Sequence, residues 1–354
     1  MKFEDIAKKY NNFYPPPSYK ITIEGEDILK KYLIEVTNVT FEDALDASDR
    51  FSFTINDPTL KWLDSGLFEV GKTVEIKMGY LDKLTTMILG EVITVRPSFQ
   101  SDSTPEIEIS GYDLSHQFTR LCKHKTWKNK RDSEVVEEIV RSDRIKYKLK
   151  ADIKKTEVVL TEIVQDGETD YTFIRKLADR NFFEFFVRER NLYFGPSKRS
   201  EDPITLEYRK SLLRFSPELN IANQVSEVIV RGWNPKTKQE IVGKASSVEQ
   251  KEGKAGGDIM KKLYGKVEHI VTDRPVYSQP EADVIARSMF NRLSVGVVRG
   301  SAESIGMPEV KAGDDIVLSG LGQKFSQKYF IERTTHSINS SGYTTTFSVR
   351  GDVA

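Results

Sequence analysis

Alternating β-strand patterns near residue 70–111 recur, in the same order, at the C-terminal end of the chain. The offset between matching segments changes only from one strand to the next, where loops accommodate insertions, and never within a strand. The sequence therefore predicts a duplicated β module. The aligned pairs are 71–76 with 313–318 at an offset of 242, 91–95 with 332–336 at 241, and 107–111 with 347–351 at 240.

Six residues mark equivalent places in the two copies, at the starts and ends of the aligned strands. In this alignment Arg333 takes the place of Val92, and His336 takes the place of Val95. We therefore expect two copies that share a fold and differ in surface. The six repeat positions are Gly71, Glu91 and Gly111 in the first copy and Gly313, Glu332 and Gly351 in the second.

The sequence between the two copies has a different pattern. Apolar residues at helical spacing predict helices at 132–143 and 169–182, and short strands surround them. A third helix is predicted at 279–293, where Ser278 and Glu281 form a capping box. With 354 residues the chain has room for several domains. The predicted division is an N-terminal arm at 1–18, a first β-barrel at 19–114, an inserted α+β domain at 115–211 and a second β-barrel at 212–354.

Composition and motifs argue against several classes of function. The 53 basic and 53 acidic residues cancel, so no net field draws in nucleic acid or anionic membrane. Cys122 is the only cysteine, and the four histidines are scattered. The GKASS at 243–247 is not a P-loop, because Ala245 follows the lysine where a P-loop has Ser or Thr. The N-terminus has no apolar signal region, which favours synthesis in the cytoplasm. We predict no catalytic residue, no metal and no cofactor, and no insertion of this chain into a membrane.

A basic segment at 120–155 holds thirteen Lys or Arg against six acids, with Trp127 inside its densest part. One interpretation is a nucleic-acid groove with a stacking aromatic. The favoured interpretation is a solvated strand and loop that Trp127 anchors to a core, because the rest of the chain cancels the charge.

Five stretches of the chain carry a resemblance to a known family. They are ISGYDLSHQFTR at 109–120, QDGETDYTFIRKLADRNFFEFF at 165–186, NQVSEVIVRGWNPKTKQEIVGKA at 223–245, HIVTDRPVYSQPEADVIARSMFNRLS at 269–294 and KAGDDIVLSGLGQKFSQKYFIERTTHSINSSGYTTTFSVRG at 311–351. With these stretches, nearly the whole chain from Tyr19 resembles the late control gene D family of phage-tail baseplate hub proteins. The same family group includes the N-terminal hub part of type VI secretion spike proteins and the hubs of contractile injection systems.

The resemblance implies a mainly β fold, in which two tail-tube-like β-barrels flank a smaller inserted α+β domain. It also implies a homotrimer that adapts the sixfold tail tube to a threefold spike within a baseplate. The expected partners are the tail-tube protein, the baseplate wedge proteins and a spike, with nucleic acid at most passing through the lumen. Because no spike domain follows before Ala354, we expect the spike to be a separate polypeptide.

Two other functions stay open at the level of sequence. A tail-associated cell-wall hydrolase needs two carboxylates across a cleft, which sequence alone cannot locate among so many acids. A nucleic-acid-binding module would use the basic segment 120–155. The resemblance covers phage tails, bacteriocins and toxin injectors alike.

Overall fold

The computed structural model describes residues 2–142, 148–200, 202–234, 237–247, 256–272 and 275–351. The first β unit consists of seven strands, with one helix before them and two short helices between them. The helices are α1 (Phe3–Lys9), α2 (Ile28–Tyr32) and α3 (Lys61–Asp64). The strands are β1 (Pro17–Ile23), β2 (Glu26–Asp27), β3 (Val36–Ala44), β4 (Arg50–Asn56), β5 (Thr73–Tyr80), β6 (Lys83–Ser98) and β7 (Glu106–Asp113).

A mixed unit follows the first β unit, and its elements begin after a 3₁₀ turn at Leu114–Thr119. The predicted helices are both present, and Thr169 caps the second by accepting a bond from the Thr172 backbone N–H. The elements are β8 (Cys122–Lys130), α4 (Asp132–Val140), β9 (Lys150–Ile153), β10 (Leu160–Thr169), α5 (Asp170–Asn181), β11 (Phe183–Arg188) and β12 (Asn191–Pro196).

The remaining strands and helices form the second β unit and a further layer inside it. Ser278 caps α7 by accepting from the Glu281 backbone N–H. The Glu281 carboxylate accepts from the Tyr277 backbone N–H instead of that of Ser278, so only one half of the predicted capping box is formed. The elements are β13 (Ile204–Glu207), β14 (Leu212–Leu219), β15 (Glu227–Asn234), β16 (Gln239–Ala245), α6 (Gly256–Tyr264), β17 (Glu268–Val271), α7 (Gln279–Ser294), β18 (Val298–Ile305), β19 (Asp315–Ser319), α8 (Gly322–Phe325), β20 (Gln327–Asn339) and β21 (Gly342–Gly351).

The two β units have the same strand order. Neighbouring strands run β3, β4, β7, β6, β5 in the first unit and β14, β18, β21, β20, β19 in the second, and every adjacent pair is antiparallel in both. A sixth strand extends each set, but β1 pairs with β5 antiparallel whereas β13 pairs with β19 parallel. The predicted fold class, two similar β units around an α+β insert, is confirmed.

The hydrogen-bond ladders fix which residues are equivalent. Gly71 and Gly313 both have a positive φ and donate their backbone N–H to the carbonyls of Val92 and Ile331, at 2.8 Å each. Val92 is therefore the counterpart of Ile331, an offset of 239, and a β-bulge follows each of them.

This register differs by two residues from the alignment that placed Glu91 over Glu332. As a result Arg333 stands where the first copy has Thr94, and His336 stands where it has Pro97. A shift of two keeps every side chain on the same face of a strand, so the alternating pattern could not reveal it.

Both β units pack their apolar faces into one continuous core. Fully buried members from the first unit include Phe51 and Phe53, and from the second Tyr329 and Ile331. The helix α1 adds Ile6 and Tyr10 to the same core, so packed structure begins ahead of the predicted start near Tyr19. None of the helices within the described ranges is long and apolar enough to cross a membrane.

The structure contains a second insert that the predicted division lacks. The first copy joins β3 to β4 by a short turn, whereas residues 220–297 separate the equivalent strands β14 and β18. These residues form a three-stranded sheet covered by α7, with a core of its own. The predicted boundary at 212 also falls within the second β unit, because β13 already pairs with β19.

Candidate assembly interface

The two β units are joined edge to edge into a longer sheet. Residues 333–338 of β20 pair with residues 44–39 of β3. The joint makes one run of eight strands, β14-β18-β21-β20-β3-β4-β7-β6. One face of this run covers the core, and the other carries mainly Ser, Thr, Glu and Arg, as expected for an antiparallel sheet with one solvated side.

His336 lies at the centre of this joint and is fully buried. Its Nε2–H donates to the Val310 carbonyl at 3.0 Å, while its Nδ1 accepts from the Tyr343 hydroxyl at 3.0 Å. Burial lowers the pKa of His336 to about 3, so the imidazole is neutral. Both of its ring nitrogens therefore have hydrogen-bond partners inside the core, and the side chain is not accessible to a substrate.

The buried aspartate Asp43 links the first insert to the two β units, and Asp49 and Asp113 are buried close to it. Asp43 accepts from the Ala312 backbone N–H at 3.0 Å and lies 3.5 Å from the Arg188 guanidinium. Burial raises the pKa of Asp113 to about 8 and holds that of Asp49 well above its usual range. These carboxyls lie inside the protein, so they do not form the solvent-facing pair that a glycosidase requires.

The eight-stranded run ends in two strand edges without a partner strand in the described part of the chain. One is the outer edge of β14, and the other is the edge of β6 beyond Glu91, where β5 no longer follows. Exposed side chains at these edges include Arg96, whose side chain is 68% exposed, and Leu219. Unpaired edges of this kind are sites of strand addition.

Each of these two edges carries one proline. Pro97 pairs across β6–β7 with Ile107, and Pro217 pairs across β14–β18 with Gly300. Because proline has no N–H, it fits a ladder only with its nitrogen turned away from the paired strand. Both nitrogens therefore face the open edges. These prolines are not among the residues predicted to be functional, although a proline inside an alternating strand pattern is itself a signal of an edge.

Of the six predicted repeat positions, Gly71 and Gly313 precede strands and Gly351 ends one, while the others lie inside strands. Gly111 lies so close to β6 that a Cβ there would be 1.8 Å from the Glu91 carbonyl oxygen. At Gly351 the nearest atom to such a Cβ is a Tyr329 ring carbon at 3.0 Å. Glu332 accepts from Arg350 at 3.2 Å and pairs with Arg299 at 3.5 Å.

The basic segment is tied to the first insert. Lys125 and Lys130 both bind Glu138, and Trp127 is buried with its ring 5.4 Å from that of Phe173. Trp127 is thus unavailable to stack on a base, which removes the main feature of the nucleic-acid hypothesis. Residues 143–147 of this segment lie outside the described ranges. Among the described residues, no group of three His, Cys, Asp or Glu could hold a metal ion.

Comparison with solved structures identifies this fold in tail proteins. The 43 kDa tail protein of prophage MuSo2 from Shewanella oneidensis superposes with a TM-score of 0.70 at 14% identity, over 94% of this chain and 98% of that one. The tail protein from Neisseria meningitidis MC58 gives 0.70 at 13% identity, over 95% and 97%. A component of the E. coli type VI secretion system gives 0.60 at 14% identity, over 93% and 76%. At these identities the likeness is one of fold.

No curated protein matches the chain in sequence. One family model matches residues 16–340, and its description is the Alg8 N-terminal domain rather than late control gene D. The match extends from just before β1 to the turn between β20 and β21, so it takes in the first β unit, both inserts and the second β unit except for β21. The chain therefore belongs to the Alg8 N-terminal domain family.

Proposed function

We propose that this chain is a structural baseplate hub of a contractile phage tail or related injection particle. Three copies close into a ring, and the six β units of the ring match the symmetry of a sixfold tube. The observation that carries the proposal is the joint between β20 and β3. The counterpart of β20 in the first unit is β6, the counterpart of β3 in the second unit is β14, and both of these strands have an unpaired edge. A contact that joins two similar units within a chain can also join the second unit to the next chain.

The ladder equivalences predict the register of the contact between chains. Thr335 of β20 lies opposite Glu42 of β3 within one chain. Arg96 is the counterpart of Thr335 in the first copy, and Glu218 is the counterpart of Glu42 in the second. Arg96 of one chain would then face Glu218 of the next, and a pair of opposite charges directly across two strands is favourable.

The two edge prolines weaken this contact relative to the joint inside the chain. In the same register Pro97 meets Pro217, at the position where His336 meets Phe41 inside the chain. Two backbone donors are missing there, so isolated chains resist uncontrolled pairing. The ring then forms fully only when a partner protein orders it. This is the physical case for trimerisation that depends on, or is strengthened by, the spike.

The proposed partners follow from the ring. The tail-tube protein stacks on one side, a separate spike binds the other, and baseplate wedge proteins surround it. The polar faces of the six β units line the lumen, through which nucleic acid at most passes. We place the chain's synthesis in the bacterial cytoplasm and its working location in the particle.

We further propose that the chain is not an enzyme. The buried state of His336, Asp49 and Asp113 supports this, because these three groups with strongly shifted pKa values are enclosed by the fold. The fold likeness to tail proteins supports it as well. Turnover of peptidoglycan that a single Asp or Glu substitution abolished would overturn this part of the proposal.

A charge-reversal experiment tests the ring. Native mass measurement of the chain together with its spike should give three copies. Arg96→Glu and Glu218→Arg should each lower the trimer fraction, and the double variant should restore it, because the pair is re-formed with opposite polarity. Arg96 also pairs with Glu108 in its own chain at 3.1 Å, so the thermal midpoint of each monomer is the control for folding. Trimer fractions that stay unchanged in both single variants would contradict the proposed register.

A further inference from the structure

A cleft of about 420 Å³ opens where the polar face of the sheet meets both inserts. Its walls are the end of α5, the end of α7, the β3–β4 turn and the rim formed by β18, β20 and β21. Phe182 and Phe183 form an apolar side. Five arginines line the remainder, and they are Arg175, Arg292, Arg299, Arg333 and Arg350.

Three of these arginines are matched by carboxylates on the cleft wall. Arg333 binds Asp46 at 3.0 Å, and Arg292 pairs with an Asp179 carboxylate oxygen at 3.1 Å. Arg299 lies 3.5 Å from Glu332. These pairs hold the guanidinium groups in place and consume most of the local negative charge.

The other two arginines retain capacity for an anion. Arg175 donates to the Leu45 carbonyl, and none of the ion pairs among the described residues includes it. Arg350 shares Glu332 with Arg299, and its Nε is buried without a hydrogen-bond partner among the described residues. The Arg350 guanidinium also stacks 4.4 Å from the Phe330 ring, which fixes its position.

The arginine cluster belongs to only one of the two copies. At the positions that correspond to Arg333 and Arg350 the first copy has Thr94 and Tyr112, and its bulge residue is Ile93 instead of Glu332. Arg50 alone matches, as the counterpart of Arg299. The cleft therefore occurs once per chain, although the β units occur twice.

From this geometry we infer that the cleft binds a protein segment that presents a carboxylate beside an apolar side chain. The carboxylate bridges Arg175 and Arg350, and the apolar group rests on Phe182. Arginine suits such a ligand because its planar fork binds carboxylates bidentately. If the proposed function holds, a ring of three chains offers three such clefts. Three binding sites match the symmetry of a threefold partner and do not match that of the sixfold tube.

A nucleic-acid backbone fits this cleft less well than a protein carboxylate does. Four acids, Asp46, Asp179, Glu184 and Glu332, already line it, so the net charge is close to neutral. Binding to a polyphosphate chain depends on a surplus of basic groups along a track. One additional carboxylate matches the available arginine donors without requiring such a surplus.

The inference is tested by fluorescence anisotropy with a labelled, C-terminally amidated peptide, Ala-Phe-Asp-Leu-Glu-Ala, and its neutral analogue Ala-Phe-Asn-Leu-Gln-Ala. We expect the acidic peptide to bind at least tenfold more tightly. Arg175→Gln and Arg350→Gln should each raise its Kd about tenfold, since each removes charge-assisted hydrogen bonds. Arg50→Gln, at the counterpart of a cleft arginine in the other copy, is the matched control and should leave the Kd unchanged.

Three results would overturn the inference. They are equal binding of the two peptides, no saturable binding of the acidic peptide at millimolar concentration, and displacement of that peptide by inorganic phosphate or oligothymidylate at lower concentration than by unlabelled peptide. The cleft is formed within one chain, so the same titration on the Arg96→Glu variant separates the two proposals. Peptide binding that persists in this variant supports the inference whether or not a ring forms, whereas a trimer fraction that Arg96→Glu leaves unchanged would count against the proposed function alone.

Discussion

Replacing Asp113 by Asn should change how the stability of this protein depends on pH. The Asp113 carboxyl is buried and its pKa is raised to about 8, whereas an unfolded aspartate titrates near 3.9. Between these values the folded state holds a proton that the unfolded state has released. The free energy of unfolding therefore falls as pH rises, by up to about 1.4 kcal/mol per pH unit for this single group.

The asparagine variant keeps the shape of the carboxyl and has no proton to release. Its thermal midpoint should rise relative to that of the original protein as pH increases from 5 to 7.5. For a domain of this size the gap should widen by about 2–4 °C per pH unit. Asp49 shares the same buried surroundings, so part of the slope remains in the variant.

The assay is a thermal melt of both proteins in matched buffers across this pH range. Comparing the two proteins cancels the titrating groups that do not interact with Asp113, His336 included. Asp46→Asn, at an exposed side chain in the neighbouring turn, serves as the control and should show a constant gap. A gap between the Asp113 variant and the original protein that does not change with pH would refute the assignment of a protonated buried carboxyl.

Three further predictions concern single positions. The His336→Gln variant should be less stable than the original protein, and this difference should become smaller as pH falls below 6.5. The reason is that the buried imidazole has a pKa of about 3, so the original protein loses folding free energy once the imidazole of the unfolded chain protonates; thermal melts at pH 4.5 and 7 measure this. Gly111→Ala should abolish or severely weaken folding because its Cβ would meet a backbone oxygen at 1.8 Å, whereas Gly351→Ala, with a ring carbon at 3.0 Å, should be milder; soluble yield and thermal midpoint compare them. Arg180→Gln leaves the buried Asp132 without its bidentate partner and should destabilise the first insert by about 3–5 kcal/mol, seen as early proteolysis of residues 115–200 while the β units persist.

The duplicated fold could be predicted because strands alternate with period two and the same order recurred over three segments. The exact register could not, since a two-residue slip leaves Glu91 and Glu332 on suitable faces. Only the hydrogen bonds from Gly71 and Gly313 settle it. The capped helix α7 was predicted to within one residue, because Ser278 and Glu281 provide a local signal that needs no tertiary context.

The second insert was not recognised from sequence because its strands, β15 to β17, resemble those of the β unit around them. Whether a strand such as β15 joins one sheet or another depends on contacts with α7 that are distant in sequence. The arginine-lined cleft has the same origin. Arg175, Arg299 and Arg350 come from three elements that only the packed structure brings together.

The central claim is that β6 of one chain pairs with β14 of the next until three chains close a ring. In the predicted register Ser98 faces Ser216, beside the two prolines, where opposing Cβ atoms approach closely enough for a disulfide. The most direct measurement is therefore oxidation of a Cys122→Ser, Ser98→Cys, Ser216→Cys variant, with its spike present, followed by a non-reducing gel. The account predicts a covalent trimer as the largest species, and either no cross-linking or a ladder continuing beyond three chains would contradict it.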